Sequence, residues 1–406
     1  MKNRDTLYKR IRKPLAVSAA KMLHSVCRIL HSGGTTVPGI AAGIIDPELL
    51  SELASEVRVL VITGTNGKTT AVHMAAHALH SLQIPCAYTR AGENMESSIL
   101  TVLIDNYDRK EKRPRKETAV LECDEKYAVK LLKALQPVCV TVTNICEDQT
   151  DRLGRPEDVA EMFYQGLSAY PGIICLNAGD PYSARLAEEL QSRSILQYAG
   201  GENEIVIQGK SYPVKLGIPG KYNVSNAAAA MASLYAAGFP VEAAVDSLQS
   251  VHPVFGRMES IRIGTAPVIL NLSKNPSGVL ESLRYIAEEL QTARVVLGFN
   301  NDSGDGKDLR WLGSIPWKDY AQHFSEVMVF TDLCDETEKL LRSLDISFRS
   351  VNNGKQLIRM IKESSEPVYM ILNYTCMMKV RKEMARQNYV PDFWESQDFD
   401  NLNQLL

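Results

Sequence analysis

Short apolar runs alternate with amphipathic segments over most of the 406-residue chain. The runs are rich in β-branched residues and mostly lack alternating polar positions, which is typical of strands buried on both faces of a parallel sheet. Between them, apolar residues recur at the spacing of helices that cover such a sheet. The first part of the chain therefore predicts strands at 57–63, 85–89, 118–123, 138–145 and 172–177, with helices at about 68–81, 124–135, 156–169, 180–193 and 223–237.

A second alternating unit begins near Val254 and predicts another doubly wound α/β domain, smaller than the first. The irregular stretch at 197–220 indicates a small antiparallel addition to the first unit. In the second unit we expect strands at 268–273, 294–300, 327–332 and 367–373, and helices at about 277–291, 335–343, 354–363 and 375–387.

The N-terminus is basic and leads into an apolar helical stretch at 15–30. Lys21 and Arg28 interrupt that stretch, which argues against a signal peptide. We expect an amphipathic helix packed on the protein, with contact to anionic lipid as the lesser alternative. The basic residues before the stretch are Lys2, Arg4, Lys9, Arg10, Arg12 and Lys13.

Two further segments are predicted from local signals. A Gly/Pro-rich loop at 32–39 precedes a short helix at 46–54, which Asp46 would cap and in whose first turn Pro47 would lie. The strongly charged stretch at 105–118 is predicted to be a solvated loop between two strands rather than a phosphate-binding patch.

Composition narrows the class of protein. Hydrophobic residues make up 45% of the chain and charged residues 23%, which excludes wholesale disorder. The net charge of −3 gives no support to a nucleic-acid-binding surface. None of the eight cysteines forms a C-x-x-C pair, so we expect reduced thiols in a cytoplasmic protein. No apolar stretch approaches the roughly 18 residues that a membrane span needs.

The sequence GTNGKTT, residues 64–70, follows a predicted strand and opens a predicted helix. Gly64 and Gly67 would let backbone N–H groups surround an anion, Lys68 would supply a charge to the β- and γ-phosphates, and the Thr69 hydroxyl would bind Mg²⁺. The usual phosphate loop has four residues between its first glycine and Gly-Lys, which would need a glycine at the position of Ile62, so this is a variant loop. We expect it to bind a nucleotide.

Acidic and amide side chains follow two further buried strands. Glu122 and Asp124 come at the carboxyl end of the strand at 118–123, where α/β sheets place ligands, and could hold the metal that bridges the phosphates. A helix cap is the alternative for Asp124. Similar side chains follow the strand at 138–145: Asn144, Asp148, Gln149 and Asp151.

Several segments in order along the chain resemble one family. GTNGKTT resembles the ATP-binding loop of the Mur ligases, which join amino acids to peptidoglycan precursors through acyl phosphates. The stretches RAGENM, LECDE, LNAGDP, GKYNVSNAAAA, FGRME, NLSKNPSG and GDGKDLRWL are similar to those of its MurT branch. The resemblance implies an N-terminal helical segment at 1–54, a Mur ligase central ATP-binding domain with a parallel sheet at 55–252 and a Rossmann-like C-terminal α/β domain, of the type called DUF1727, at 253–406.

The resemblance also implies roles for individual residues. The loop residues Gly64, Thr65, Asn66, Gly67, Lys68, Thr69 and Thr70 would bind ATP, and Thr69 and Glu122 would hold Mg²⁺. Arg257 would reach the phosphates and stabilise the charge of phosphoryl transfer. Further ATP-binding residues would be Asn177, Asp180, Asn223 and Asn226.

The implied reaction is amidation of the α-carboxylate of D-isoglutamate in the stem peptide of lipid II. ATP would activate the carboxylate as an acyl phosphate, and ammonia from a separate GatD-like glutaminase would attack it. Asp308, or Asp305 beside it, would complete the Cys-His pair of that partner; a turn with capping carboxylates is the alternative. The enzyme would be cytoplasmic, with a peripheral position at the inner face of the membrane as an alternative, and would bind no nucleic acid.

The chain departs from the family pattern in three places. A zinc ribbon with two C-x-x-C pairs is absent from the central domain, so we expect no structural zinc. Gly179 replaces a common Asp, and Gly313 and Ser314 stand where an aromatic residue and an Asp are expected. Two other functions therefore stay open: a stand-alone Mur-type amino-acid ligase, against which Lys274 at a usual His position argues, and a non-catalytic ATP-binding subunit.

Overall fold

The computed structural model describes residues 2–29, 35–90, 92–147, 154–301, 305, 308–330 and 336–391, with the side chains of 2–10 and 28–29 outside the description. The chain divides into two compact units, one of residues 1–145 with 156–252 and one of residues 146–155 with 253–406. Asp148, Gln149 and Asp151, which the sequence places near the phosphate loop, lie outside the described residues.

The first unit is built on an eight-stranded sheet with strand order β10-β9-β8-β7-β6-β1-β5-β2. The six strands from β8 to β2 are parallel, as the continuous apolar runs predict. Only β9 and β10 are antiparallel, so the expected antiparallel addition starts later than predicted. The strands are β1 (Arg58–Thr63), β2 (Cys86–Tyr88), β5 (Thr118–Glu122), β6 (Cys139–Val142), β7 (Ile173–Asn177), β8 (Ile195–Gly200), β9 (Glu204–Ile207) and β10 (Lys210–Pro213).

Helices of this unit flank the sheet and also form an N-terminal layer. Most lie within a few residues of their predicted positions, and the predicted bounds of the helix after the phosphate loop are confirmed at both ends. The helices are α1 (Lys2–Ile29), α2 (Val37–Ile45), α3 (Leu49–Ala54), α4 (Lys68–Ser81), α5 (Glu96–Asn106), α6 (Glu125–Leu135), α7 (Pro156–Leu167), α8 (Pro181–Glu189), α9 (Tyr222–Ala236) and α10 (Val241–Val245).

The N-terminal layer differs from its prediction. Part of the expected loop at 32–39 belongs to α2, and the short helix begins at Leu49, so Asp46 does not cap it. Gly39 explains the difference: a Cβ there would lie 1.8 Å from the carbonyl oxygen of Ser97 on α5. Glycine thus marks close packing of two helices here rather than a turn.

The charged stretch at 105–118 also differs from its prediction. It follows α5, which the sequence pattern did not reveal, and so does not join two strands. Its middle forms a two-stranded antiparallel hairpin of β3 (Tyr107–Asp108) and β4 (Arg113–Pro114). The side chains in the turn of the hairpin are exposed, as expected of a charge run.

The second unit contains a six-stranded sheet with order β11-β12-β16-β13-β14-β15, parallel except at the β11 edge. The α/β class with two sheet domains is confirmed. The predicted helix 277–291 ends as a π-helical turn, Ile286–Leu290. The strands are β11 (Glu259–Ile263), β12 (Ala266–Leu272), β13 (Ala293–Gly298), β14 (Phe324–Phe330), β15 (Arg349–Val351) and β16 (Val368–Leu372). The helices are α11 (Pro276–Tyr285), α12 (Trp317–Tyr320), α13 (Glu336–Ser343), α14 (Gly354–Lys362) and α15 (Tyr374–Arg386).

Candidate active site

The phosphate loop joins β1 to α4 at the point where the strand order of the first sheet reverses. β1 lies between β5 and β6, and α/β sheets bind ligands at the carboxyl ends of strands at such a switch point. Gly64 and Gly67 have φ values of 115° and 86°, which favour glycine. A Cβ on Gly64 would lie 2.4 Å from Thr143 Oγ1, and one on Gly67 would lie 1.9 Å from Asn226 Oδ1. The glycines therefore keep open a backbone cradle that any other residue would fill.

Asn144, just after β6, supports the loop from the neighbouring strand. Its Oδ1 accepts a hydrogen bond of 3.0 Å from the N–H of Asn66, and its Nδ2 donates one of 3.0 Å to the carbonyl of the same residue. The carbonyl of Asn144 accepts a third bond, of 2.9 Å, from the N–H of Thr65. These three bonds fix both peptide groups at the tip of the loop.

Lys68 is buried at the start of α4. Its Nζ donates hydrogen bonds to the carbonyl oxygens of Gly64 and, at 3.1 Å, Thr65, and lies 3.5 Å from Oε2 of the buried Glu125. The amine therefore lies against the loop that would receive the phosphates, held by oxygen atoms that a triphosphate could replace. Thr70, also predicted to contact ATP, is buried one residue beyond Thr69 in the same turn.

Thr69 and Glu122, the two predicted metal ligands, lie in direct contact. The Thr69 hydroxyl donates a hydrogen bond of 2.7 Å to Glu122 Oε2, and Asn94 Nδ2 donates one of 3.3 Å to Oε1. The N–H of Glu122 donates to Thr89 Oγ1 at 2.6 Å. A hydroxyl and a carboxylate held together suit Mg²⁺, which binds one or two protein oxygens along with phosphate oxygens. Sequence reasoning did not assign a role to Asn94, although the RAGENM stretch that contains it was one of the family-like segments.

Asn223 and Asn226 lie one turn apart at the start of α9 and bond to each other. Asn226 Nδ2 donates to Asn223 Oδ1 at 3.0 Å, and Asn223 Nδ2 donates to the carbonyl of Pro219 at 2.6 Å. Since Asn226 also lies against Gly67, this pair connects the phosphate loop to the segment before α9.

Asn177 and Asp180 lie at the carboxyl end of β7. Asn177 Nδ2 donates to the carbonyl of Thr143 at 2.9 Å and to Ser225 Oγ at 3.1 Å. Asp180 caps α8, accepting from the N–H of Ser183 at 2.9 Å, and burial raises the pKa of its carboxyl. Both side chains thus hold the edge of the sheet together beside the strand that carries Asn144.

The other predicted residues lie in the second unit. Arg257 Nη1 donates to the carbonyl of Leu272 at 3.1 Å. The half-buried Asp308 makes a two-pronged ion pair with Arg310, 2.7 Å at its shorter contact, and these hydrogen bonds lower the pKa of Asp308 to about 2. Asp305 is buried and accepts hydrogen bonds from the N–H and hydroxyl of Thr375 at the start of α15. Of the two aspartates, only Asp308 presents its carboxylate at the surface.

Histidines along α4 serve packing. His77 Nε2 lies 3.1 Å from the carbonyl of Ser247 and 3.0 Å from Ser250 Oγ. Burial lowers the pKa of His73 to about 3 and also lowers that of His77. Within the described ranges, no three His, Cys, Asp or Glu side chains gather to hold a metal. The absence of structural zinc stays a prediction. No helix in the same ranges is long and apolar enough to cross a bilayer.

Both units match models of known protein families. Residues 62–234 match the family model of the Mur ligase middle domain, and residues 272–377 match that of the MurT ligase C-terminal domain. The chain is 26% identical over 380 residues to the MurT subunit of a glutamine-hydrolysing lipid II isoglutaminyl synthase from Staphylococcus aureus, covering 79% of this chain and 85% of that protein. It is 23% identical to the corresponding subunit from Streptococcus pneumoniae, covering 94% and 98%.

Solved structures show the same fold. MurF from Acinetobacter baumannii superposes with a TM-score of 0.66 at 20% identity, covering 86% of this chain and 80% of that one. A bifunctional folylpolyglutamate synthase/dihydrofolate synthase from Yersinia pestis, solved with AMPPNP and a Mn ion, has a TM-score of 0.60 at 16% identity and covers 84% and 93%.

The P-loop unit, the second α/β unit and these relatives define the class as ATP-dependent Mur-type ligases, a family that uses ATP and Mg²⁺. Within that class, the chain belongs to the MurT family, the ligase-type subunits whose C-terminal domain it shares.

Proposed function

We propose that the chain is the synthetase subunit of a lipid II amidating enzyme. The α-carboxylate of D-isoglutamate in the stem peptide attacks the γ-phosphorus of ATP, and ADP leaves with the electron pair of the broken P–O bond. Ammonia then attacks the acyl phosphate, and phosphate leaves to give the amide. A GatD-like partner supplies the ammonia by hydrolysing glutamine. One observation carries the proposal: a MurT-type C-terminal domain follows a Mur ligase P-loop domain in the same chain.

The first unit's residues take roles that their geometry supports. The N–H groups of the loop from Gly67 to Thr70 donate to the phosphates, and the Lys68 amine exchanges its carbonyl partners for phosphate oxygens. Thr69 and Glu122 hold Mg²⁺, which neutralises phosphate charge when bound. Asn94 positions Glu122 through its hydrogen bond to Oε1.

The remaining assignments follow the family resemblance. Asn177 and Asp180 lie where the nucleotide base binds, and Asn223 and Asn226 complete the ATP site beside Gly67. Arg257 stabilises the charge of phosphoryl transfer. Asp308 completes the catalytic group of the glutaminase, because it is the more exposed member of the Asp305–Asp308 pair and its pKa is lowered.

Lys274 supports ammonia as the nucleophile. In the amino-acid-adding Mur ligases, by the resemblance noted above, a histidine stands at the position of Lys274. Asn275, the next residue, caps α11 with a hydrogen bond of 2.8 Å from the N–H of Gly278. The residue after Lys274 thus keeps its helix-capping role, although a lysine stands in place of the histidine. We place the enzyme in the cytoplasm, with a peripheral position at the inner face of the membrane as the alternative.

Reconstitution tests the proposal. The purified chain, a GatD-like glutaminase, ATP, Mg²⁺, glutamine and lipid II should give a product lighter than lipid II by about one dalton, the exchange of OH for NH₂ that ATP drives. Incorporation of an amino acid instead of ammonia would identify a stand-alone ligase. Binding of ATP with no turnover in the complete mixture would identify a non-catalytic subunit.

A further inference from the structure

An apolar stripe runs along the outer face of α1. Its residues are between 45% and 66% exposed, although their side chains are aliphatic. At about 100° per residue they fall within roughly 60° of one another around the helix axis. The opposite side, with Ala16, Val17 and Ala20, is buried against the protein. The stripe consists of Ile11, Leu15, Met22 and Val26.

A second exposed apolar row lies on α2, which packs between α1 and α5. Val37, Ile40 and Ile44 are exposed at the three- and four-residue spacing of one helix face, and Ile44 is 77% exposed. The other side of α2 is buried through Pro38, Gly39 and Ala42. Two helices in contact therefore each leave an aliphatic row uncovered, which is unusual for a stable surface.

The basic hairpin β3–β4 lies beside α1. Lys21 Nζ donates a hydrogen bond of 2.5 Å to the carbonyl of Tyr107, and Lys13 Nζ lies 4.8 Å from the centre of the Tyr107 ring. His24 Nδ1 lies 3.1 Å from Asp105 Oδ1 in the approach to the hairpin. The exposed hairpin residues carry five positive charges against Glu111 alone: Arg109, Lys110, Lys112, Arg113 and Arg115.

The charge of α1 itself has the same sign. Residues 2–13 contain six Lys or Arg residues and one acidic residue, Asp5. A helix that combines an aliphatic face with flanking basic residues is the usual form of a helix that lies in a lipid interface. Anionic lipid headgroups attract Lys and Arg near the surface, and the apolar row enters the boundary with the acyl chains.

We infer that the rows on α1 and α2, together with the β3–β4 hairpin, form a docking face for the anionic surface of a phospholipid bilayer. A protein partner fits this face less well, because the centres of protein interfaces are enriched in aromatic residues and neither row contains one. The face goes beyond the proposed amidation and does not depend on it, since bilayer contact needs neither ATP nor an acceptor.

Vesicle flotation tests the docking face. The full chain should float with vesicles of phosphatidylglycerol and phosphatidylcholine, and not with phosphatidylcholine alone. The K110Q/K112Q/R113Q variant should bind less tightly by about fivefold per residue, roughly a hundredfold in all. M22E/I44E should lower binding by at least tenfold. The matched controls K130Q/K133Q/K215Q and Y164E/Y235E change exposed residues elsewhere in the same unit and should bind like the wild type.

Four results would overturn the inference. One is a wild-type chain that stays off anionic vesicles at low ionic strength, and a second is M22E/I44E binding them like the wild type while unfolding at the same temperature. A concentration-dependent dimer that M22E/I44E dissociates would assign the face to a second copy. Loss of glutaminase binding in M22E/I44E, without loss of vesicle binding, would assign it to that partner. Failure of the amidation assay would leave the flotation result unchanged, so the two proposals fail separately.

Discussion

The hydroxyl of Thr69 donates a hydrogen bond of 2.7 Å to Oε2 of Glu122, joining the first turn of α4 to the end of β5 across 53 positions of sequence. Both residues are buried. A carboxylate fixed beside the threonine of a phosphate loop is placed to receive a divalent cation together with phosphate oxygens.

Replacing this carboxylate should change the metal requirement of the enzyme. Glu122→Gln keeps the shape but removes the negative charge, so the Mg²⁺ concentration for half-maximal ATP hydrolysis should rise about tenfold or more. A Mg²⁺ titration at saturating ATP measures this. Glu117→Gln, at an exposed position just before the same strand, should titrate like the wild type. An unchanged Mg²⁺ requirement in Glu122→Gln would remove this residue from the metal site.

Loss of the loop lysine should stop catalysis and leave the fold intact. Lys68→Ala removes a charge aimed at the phosphates, so kcat/KM for ATP should fall by about 10² to 10³. Lys126→Ala removes an exposed lysine in the first turn of α6 and serves as the control. Thermal unfolding should show both variants folded. Full ATP turnover in Lys68→Ala would contradict the proposed phosphate site.

A side chain at Gly67 should destabilise the loop for two reasons. Its φ of 86° strains an L residue, and a Cβ would collide with Asn226 Oδ1. Together these should cost about 2–4 kcal/mol of unfolding free energy for Gly67→Ala. Gly209→Ala, with φ 76° and open space, isolates the strain. The double variant G67A/N226A should recover the part of the lost unfolding free energy that is due to the collision. Urea unfolding measures all three, and equal costs for G67A and G209A would refute the close approach.

His73 should make stability depend on pH. Its pKa is about 3 in the folded protein, mainly because burial disfavours its charged form, and 6.5 when unfolded. Between these values the unfolded chain binds more protons, so stability falls as pH falls from 6.5 towards 3, by at most about 1.4 kcal/mol per pH unit. His73→Gln should reduce that slope in urea unfolding at several pH values. His80→Gln, exposed on the same helix, should keep it; a wild-type slope in His73→Gln would exclude His73 as the cause.

Asp308 should affect only the use of glutamine. In the reconstituted complex, Asp308→Asn removes the carboxylate proposed to orient the partner's histidine, so glutamine-driven amidation should fall by about a hundredfold or more. Amidation driven by added ammonium should stay at the wild-type rate. Asp319→Asn, exposed in the same unit, is the control. Equal losses with both nitrogen sources would show that Asp308 acts elsewhere.

Much of the fold follows from local pattern. The parallel strands are continuous apolar runs because helices cover both faces, and the bounds of α4 follow from the motif that opens it. The sequence pattern did not predict the helices α2 and α5, because the features that mark them are contacts with other elements of the fold. Gly39 is required by the approach of Ser97, and nothing in the neighbouring sequence distinguishes that glycine from a turn residue.

The candidate site, too, was predicted from the sequence only in part. The motif around Lys68 and Thr69 predicts the phosphate loop, and the position of Glu122 at the end of a strand predicts that it meets Thr69. Asn94, by contrast, reaches Glu122 from a separate loop. How close it comes depends on how the strands before and after that loop pair in the sheet. Such support residues carry no local pattern, so only the assembled structure reveals them.

The three hydrogen bonds between Asn144 and residues 65 and 66 have a consequence for biosynthesis. The loop and its brace are 78 positions apart, with the five strands β2 to β6 and three helices between them. A nascent polypeptide whose β6 has not yet left the ribosome lacks this brace. Its affinity for a nucleotide should therefore reach the full value only after that strand joins the sheet. Binding of ATP during translation would then report that β6 has joined the sheet.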